Sequence, residues 1–267
     1  MLVSDQVFRT LLEALLEGRY APGEKLPTQR ALAADLDVTM SSVREALKRL
    51  EQMGLVDVRQ GDAMRVRDWR AHGGLDVVAH LVLRSGAVDP GVLGDVLEAR
   101  ELMLRELARL AAQRRDDAEA VRLVELAATF AATDDPAAAQ AIDFAFFAAV
   151  AEAARNIVFV LILNAIRDAY FAHADRVPVT AEPRALAPRY TRLAAAIARR
   201  DADEAAATAF ALAAQQTAWV REALARCPPA RPTSSAAWST PWSRRPPRLR
   251  APTPTPSSPT GSTTRPH

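Results

Sequence analysis

Residues 39–50 read TMSSVREALKRL. If the stretch is helical, spacings of three and four residues divide it into two faces. Val43, Ala46, Leu47 and Leu50, with Met53, line one face. Met40, Ser41, Arg44 and Lys48 line the other. That second face offers a guanidinium that can grip guanine through two hydrogen bonds, an ammonium for phosphate, and a hydroxyl suited to either. Thr39 is a good N-cap, and Ser42 with Glu45 offers an alternative capping box one turn in. Met40 is the odd member, an unbranched apolar side chain where a nucleic-acid reader more often has a basic or polar one. The plainer alternative is a solvated charged face with no partner.

The elements around this helix favour the first reading. Val7, Phe8, Leu11, Leu12 and Leu15 form a helical stripe that Gly18 ends. The loop RYAPGEKLP turns at Pro22-Gly23. A second helix is expected from about Thr28 to Leu36, and then a turn at Asp37-Val38, where Asp tolerates a left-handed backbone. After the third helix, LVDVRQGDAMRV alternates, with Leu55, Val56, Val58, Met64 and Val66 inward and Gln60-Gly61-Asp62 as the hairpin turn. Three helices and a hairpin make a winged helix-turn-helix over residues 1–70. Arg30 at the second helix and Gln60-Gly61 at the wing tip are placed to hold a nucleic-acid backbone.

Charge does not make this argument. The pI is about 9.0. Residues 228–267, however, contribute six arginines and no acidic residue, so the net charge of +2 becomes −4 without them. Residues 1–70 hold 11 basic and 11 acidic residues. Only the local placement of charge can serve a polyanion here.

Residues 75–226 are almost entirely helical in pattern. About seven helices are expected, starting near Leu75, after Asp89-Pro90, after Asp117, after Asp135-Pro136, near Asn156, near Glu182-Pro183 and after Asp201. Acidic residues and proline at helix starts suit the N-cap, the first helical position and the helix dipole. Short connections imply antiparallel neighbours, so the fold class is mainly α: a winged helix-turn-helix followed by an all-α antiparallel bundle. Residues 228–267, rich in Pro, Ser, Thr and Arg, lack apolar periodicity and are expected to be disordered, either as a plain extension or as a basic arm that touches phosphates.

The segment EGRYAPGEKLPTQRALAADLDVTMSSVREALKRLEQMGLV resembles the DNA-binding domain of the GntR family of bacterial transcription regulators. PGEKLP, the V-T turn and VREAL-RLE-x-GLV carry the resemblance, which covers residues 17–66. It implies that Arg30, Thr39, Ser41, Ser42, Arg44 and Arg49 face DNA, with Gly61 at the wing tip. Three positions depart from the family pattern: Gln29 replaces the usual Glu, Met40 the usual Arg, and Asp62 stands in a wing that is often basic or glycine-rich. A cation lost and an anion gained should each weaken phosphate attraction.

The helical region resembles the FadR subfamily of that family, through EARELMLRELARLAA, IDFAFFAAVAEAARNIVFVLILNAI and the pattern near Arg189–Asp201. The resemblance implies an effector-binding domain and a homodimer on a palindromic operator in double-stranded DNA. One branch of the subfamily holds a metal through an Asp, a His four residues later and two further His. Here Asp143 is followed at that spacing by Phe147, Tyr190 stands at a later His position, and no His lies between 174 and 266. His72, His80, His173 and His267 cannot supply the ligands, so neither metal nor cofactor is expected. Asp143 reads instead as a buried hydrogen-bonded acid or as a charge near a helix N-terminus. The fatty-acid-responsive branch also lacks the metal His. It shares the Gly74-Leu75 start, the LILN run after Asn156, and a Trp near the end of the last helix, here Trp219. That likeness implies a small acidic effector, in this branch a fatty acyl-CoA. Arg100 would anchor it, with Asp143, Asn156, Tyr170 and Trp219 as candidate pocket residues; Ala211, Leu212 and Gln215 leave room for a different organic or sugar acid.

Other classes are poorly served. Residues 75–226 show no nucleophile–base pair, metal set or glycine phosphate loop, so no enzyme is expected. The apolar run from Ile157 to Leu163 is too short to span a membrane, the N-terminus reads as an amphipathic helix, and Cys227 stands alone. A cytoplasmic regulator is expected, or one that has kept dimerisation and lost DNA affinity.

Overall fold

The computed structural model describes residues 2–57, 64–84, 87–171 and 182–226, leaving undescribed the side chains of 84 and 168–171. Gln60, Gly61, Asp62, the Tyr170 side chain and the 228–267 segment, all singled out above, lie outside the described residues.

The N-terminal part opens with α1 (Val3–Leu16), α2 (Gln29–Asp35) and α3 (Met40–Gln52). The expected stripe of α1 is buried, and Gly18 closes the helix at φ 74°. Thr28 caps α2 by accepting from the Ala31 N–H at 3.2 Å. Asp37 takes the left-handed turn at φ 52°, and the Val38 N–H returns to the Ala33 carbonyl at 3.0 Å. Strands β1 (Val56–Asp57) and β2 (Arg65–Val66) pair antiparallel, with Val56 opposite Val66. The loop before α2 adds a third edge: Leu26 N–H donates to Met64 and Val66 N–H to Glu24, at 2.8 and 2.9 Å. Val43, Ala46, Leu47 and Leu50 of α3 are buried against α1 and the strands.

A short α4 (Trp69–His72) and then α5 (Leu75–Val82) lead into the second half. By sequence α5 opens the helical region, yet its Val77 and Leu81 are buried in the N-terminal core. Strands β3 (Leu83–Arg84) and β4 (Ala87–Val88) follow as a small antiparallel pair that the sequence reading did not anticipate.

The bundle comprises α6 (Pro90–Arg114), α7 (Asp117–Ala131), α8 (Pro136–Ala153), α9 (Ile157–Phe171), α10 (Pro183–Ala198) and α11 (Ala202–Arg226). With α5 these are the seven expected helices. Asp89, Asp116, Asp135, Asn156 and Asp201 each accept from a backbone N–H in the following turn; Glu182 makes no such bond. Arg100 meets Gln216 and Arg109 meets Asp203, so α6 and α11 run antiparallel. Helix ends are tied by arginines. Arg114 donates to the Ala154 carbonyl at 2.9 Å, and buried Arg115 donates to the last carbonyls of α10, Ile197 and Ala198. A guanidinium is well matched to the negative end of a helix.

Candidate nucleic-acid interface and buried polar site

Thr39 is the N-cap of α3; its Oγ1 accepts from the Ser42 N–H at 3.3 Å and lies 3.0 Å from Ser42 Oγ. The alternative cap at Ser42 and Glu45 does not form, because that N–H is already taken. Met40, Ser41, Arg44 and Lys48 are exposed along the outer side of α3, and Arg30 is exposed on the first turn of α2. The side chains of Arg30, Arg44 and Lys48 donate to no other group among the described residues. Their charges are therefore available to an external anion, and they sit on the two helices of the helix-turn-helix.

Arg49 is engaged elsewhere. Three residues beyond buried Ala46, it lies at the edge of the packed face. Its guanidinium donates to Asp5 at 2.8 Å and sits 3.9 Å over the Phe8 ring. The resemblance assigns it to DNA; in the structure it joins α3 to α1.

A second constellation lies inside the bundle. Asp143 on α8 is buried at 1% exposure and accepts from four side chains or lies beside them. Tyr190 O–H on α10 and Gln216 Nε2 on α11, at 3.3 Å, donate to one carboxylate oxygen. Gln140 Nε2 donates to the other at 3.2 Å, and Arg100 Nη2 on α6 stands 3.7 Å from it. Arg100, with its side chain 13% exposed, also donates to Gln216 Oε1 at 2.8 Å. Its remaining N–H groups meet no acceptor among the described residues. Burial, reinforced by the Asp143 charge, holds the Tyr190 hydroxyl well above the ordinary tyrosine range. It stays a donor at any physiological pH.

The donor set does not suit a metal. Around Asp143 stand an amide N–H on either side, a phenolic O–H and a guanidinium. These present hydrogens and a positive charge where a cation needs lone pairs. Phe130 stacks on Tyr190 at 4.0 Å.

The other expected effector residues are more scattered. Asn156 caps α9, accepting from Val158 N–H at 3.1 Å. Trp219 is half-buried against the bundle core. Sequence reasoning had noticed Tyr190 but not Gln140 or Gln216. Gln140 stands three residues before Asp143, on its helix face, which was a usable signal; nothing local marks Gln216.

Residues 3–66 match the family model described as bacterial regulatory proteins of the gntR family, and residues 95–215 match the FCD domain. The HTH-type transcriptional regulator Mce2R of Mycobacterium tuberculosis is 39% identical over 200 residues, covering 74% of this chain and 83% of that protein. The chain belongs to the GntR family. It is a DNA-binding transcriptional regulator with an FCD effector-binding domain. Within the family it is FadR-like. The fatty acid metabolism regulator protein of Edwardsiella ictaluri is 29% identical over 161 residues, covering 60% of this chain and 66% of that one. Among solved structures, Lar, described as controlling expression of the Listeria monocytogenes agr system, shares the fold at a TM-score of 0.51 and 17% identity, over 83% of this chain and 98% of that one. No helix among the described residues of this GntR regulator is long and apolar enough to cross a membrane.

Proposed function

We propose that this regulator acts as a homodimer on a palindromic operator, with the N-terminal turn of α3 at the base edges of the major groove. The observation that carries this is the capped start of α3 with Arg44 and Lys48 exposed beside it, and Arg30 on the preceding helix. Thr39 and Ser42 hydroxyls complete the turn, and Ser41 is exposed next to them. Gln60 and Gly61 belong to the wing in this reading. Gel shift with promoter fragments tests it. Arg44→Ala should weaken binding by about tenfold, within the range of one good base contact. Equal binding by the variant, or no palindromic site, rejects it.

In the bundle, the bound effector is a small acid held by Arg100, and its class is fatty acyl-CoA. The spare N–H groups of a largely buried guanidinium suit a carboxylate or phosphate, and relatives are named as fatty acid metabolism regulators. Thermal shift across long-chain acyl-CoAs and sugar acids is the test, with Arg100→Gln as control. Stabilisation by an acyl-CoA that the variant loses supports the assignment. A response to sugar acids alone moves it to the second reading, a different organic acid on the same guanidinium.

Met40 in place of a basic residue and Asp62 in the wing favour one competing view, a regulator that has kept dimerisation with weak DNA affinity. A steep fall of binding with salt argues against it.

A further inference from the structure

We infer that Met40 is a base-reading residue whose thioether side chain contacts the 5-methyl group of a thymine in each operator half-site. The inference rests on α3 being the helix that enters the major groove. Among the described residues between Ser4 and Arg70, Met40 is the one large hydrophobic side chain left exposed, at 43%. A single exposed apolar residue is ordinary on a surface; its place is what matters here. Met40 is the first residue of α3, immediately after the Thr39 cap. Recognition helices present this turn to the bases.

The chemistry of the turn narrows what can be read. The hydroxyls of Thr39 and Ser42 lie 3.0 Å apart and are occupied with each other and with the cap. Arg49 is tied to Asp5. The exposed side chains of the first turn not engaged in the cap are Met40 and Ser41, with Arg44 one turn further on. In the major groove only thymine presents an apolar group, its methyl. A flexible, unbranched thioether can follow that methyl without demanding one rotamer. Arg44, four residues away on the same side, then reads a neighbouring guanine. A half-site with thymine beside guanine follows.

The test uses the full-length protein and duplexes selected from a randomised pool. Wild type should enrich paired half-sites with an invariant thymine, and Met40→Ala should lose that preference while keeping the rest of the site. Deoxyuridine at that thymine removes only the methyl. It should weaken wild-type binding about fourfold per half-site, the worth of one buried methyl-sized group, and leave Met40→Ala unchanged. Met40→Arg should lose the deoxyuridine effect and gain salt dependence. If wild type and Met40→Ala select the same sites, or the methyl has no effect on a site that is bound, the inference falls and α3 remains the reader. If wild type enriches no duplex, the DNA-reading helix itself falls and takes the inference with it.

Discussion

Arg49 lies over Phe8, its guanidinium 3.9 Å from the ring centroid, while the His80 ring of α5 packs T-shaped against the same ring with the two centroids 5.8 Å apart. One buried aromatic thus joins α1, α3 and α5. Arg49→Met should remove a half-exposed ion pair and a cation–π contact, together about 1 kcal/mol. Tm should fall by roughly 2–4 °C. The slope of log affinity against log salt should stay unchanged, since Arg49 is already paired with Asp5; a slope reduced by about 1 would assign it to the DNA.

Tyr190→Phe removes a donor from a buried carboxylate and should cost about 1–3 kcal/mol. It should also alter the alkaline limb. The folded tyrosine titrates well above its ordinary value of 10.0. Its contribution is therefore complete below about pH 10 and is lost as pH rises towards the folded value, because the unfolded chain releases the proton first. Wild type should lose up to about 1.4 kcal/mol per pH unit more than Tyr190→Phe above pH 10. Parallel curves from denaturant titrations at pH 9 to 11 would contradict this.

Gly54 follows α3 at φ 71°, and a Cβ there would stand 2.7 Å from the His72 backbone oxygen. Strain and clash fall on the same atom. Gly54→Ala should cost about 2 kcal/mol or more, read as a Tm drop of several degrees with weakened DNA binding. An unchanged Tm would mean that α4 gives way freely.

Arg115→Met keeps the aliphatic stem and removes three donated hydrogen bonds, to Ile197, Ala198 and Asp117. Asp117 is 97% exposed and contributes little. The two helix-end carbonyls carry the effect, about 2–3 kcal/mol as charge-assisted bonds. Chemical denaturation should show a lower midpoint with an unchanged m-value.

Helix starts were the most legible part of the chain. Asp89-Pro90 and Asp135-Pro136 state both the cap and the first helical residue, and the structure places helices there. The polar site was legible in its parts only. Arg100 and Asp143 stand out as charges in apolar helices, but the Asp143–Tyr190 bond joins residues 47 apart and the Arg100–Gln216 bond residues 116 apart. Local patterns do not encode such pairings; they need the bundle to exist first. Met40 was visible as an anomaly of type, and its exposure adds what spacing could not. Arg49 shows the opposite limit: a cation at the edge of an amphipathic helix can be held by an aromatic and an acid of the neighbouring helix.

The allegiance of α5 has a practical consequence for dissection. Val77 and Leu81 fill the N-terminal core, while the same helix also touches α6 and α9 of the bundle. A fragment ending at residue 70 leaves two aliphatic vacancies in its core, each worth roughly 1.5–3 kcal/mol. One ending at residue 82 keeps them filled. The melting point of the N-terminal core is therefore set partly by residues beyond its strands.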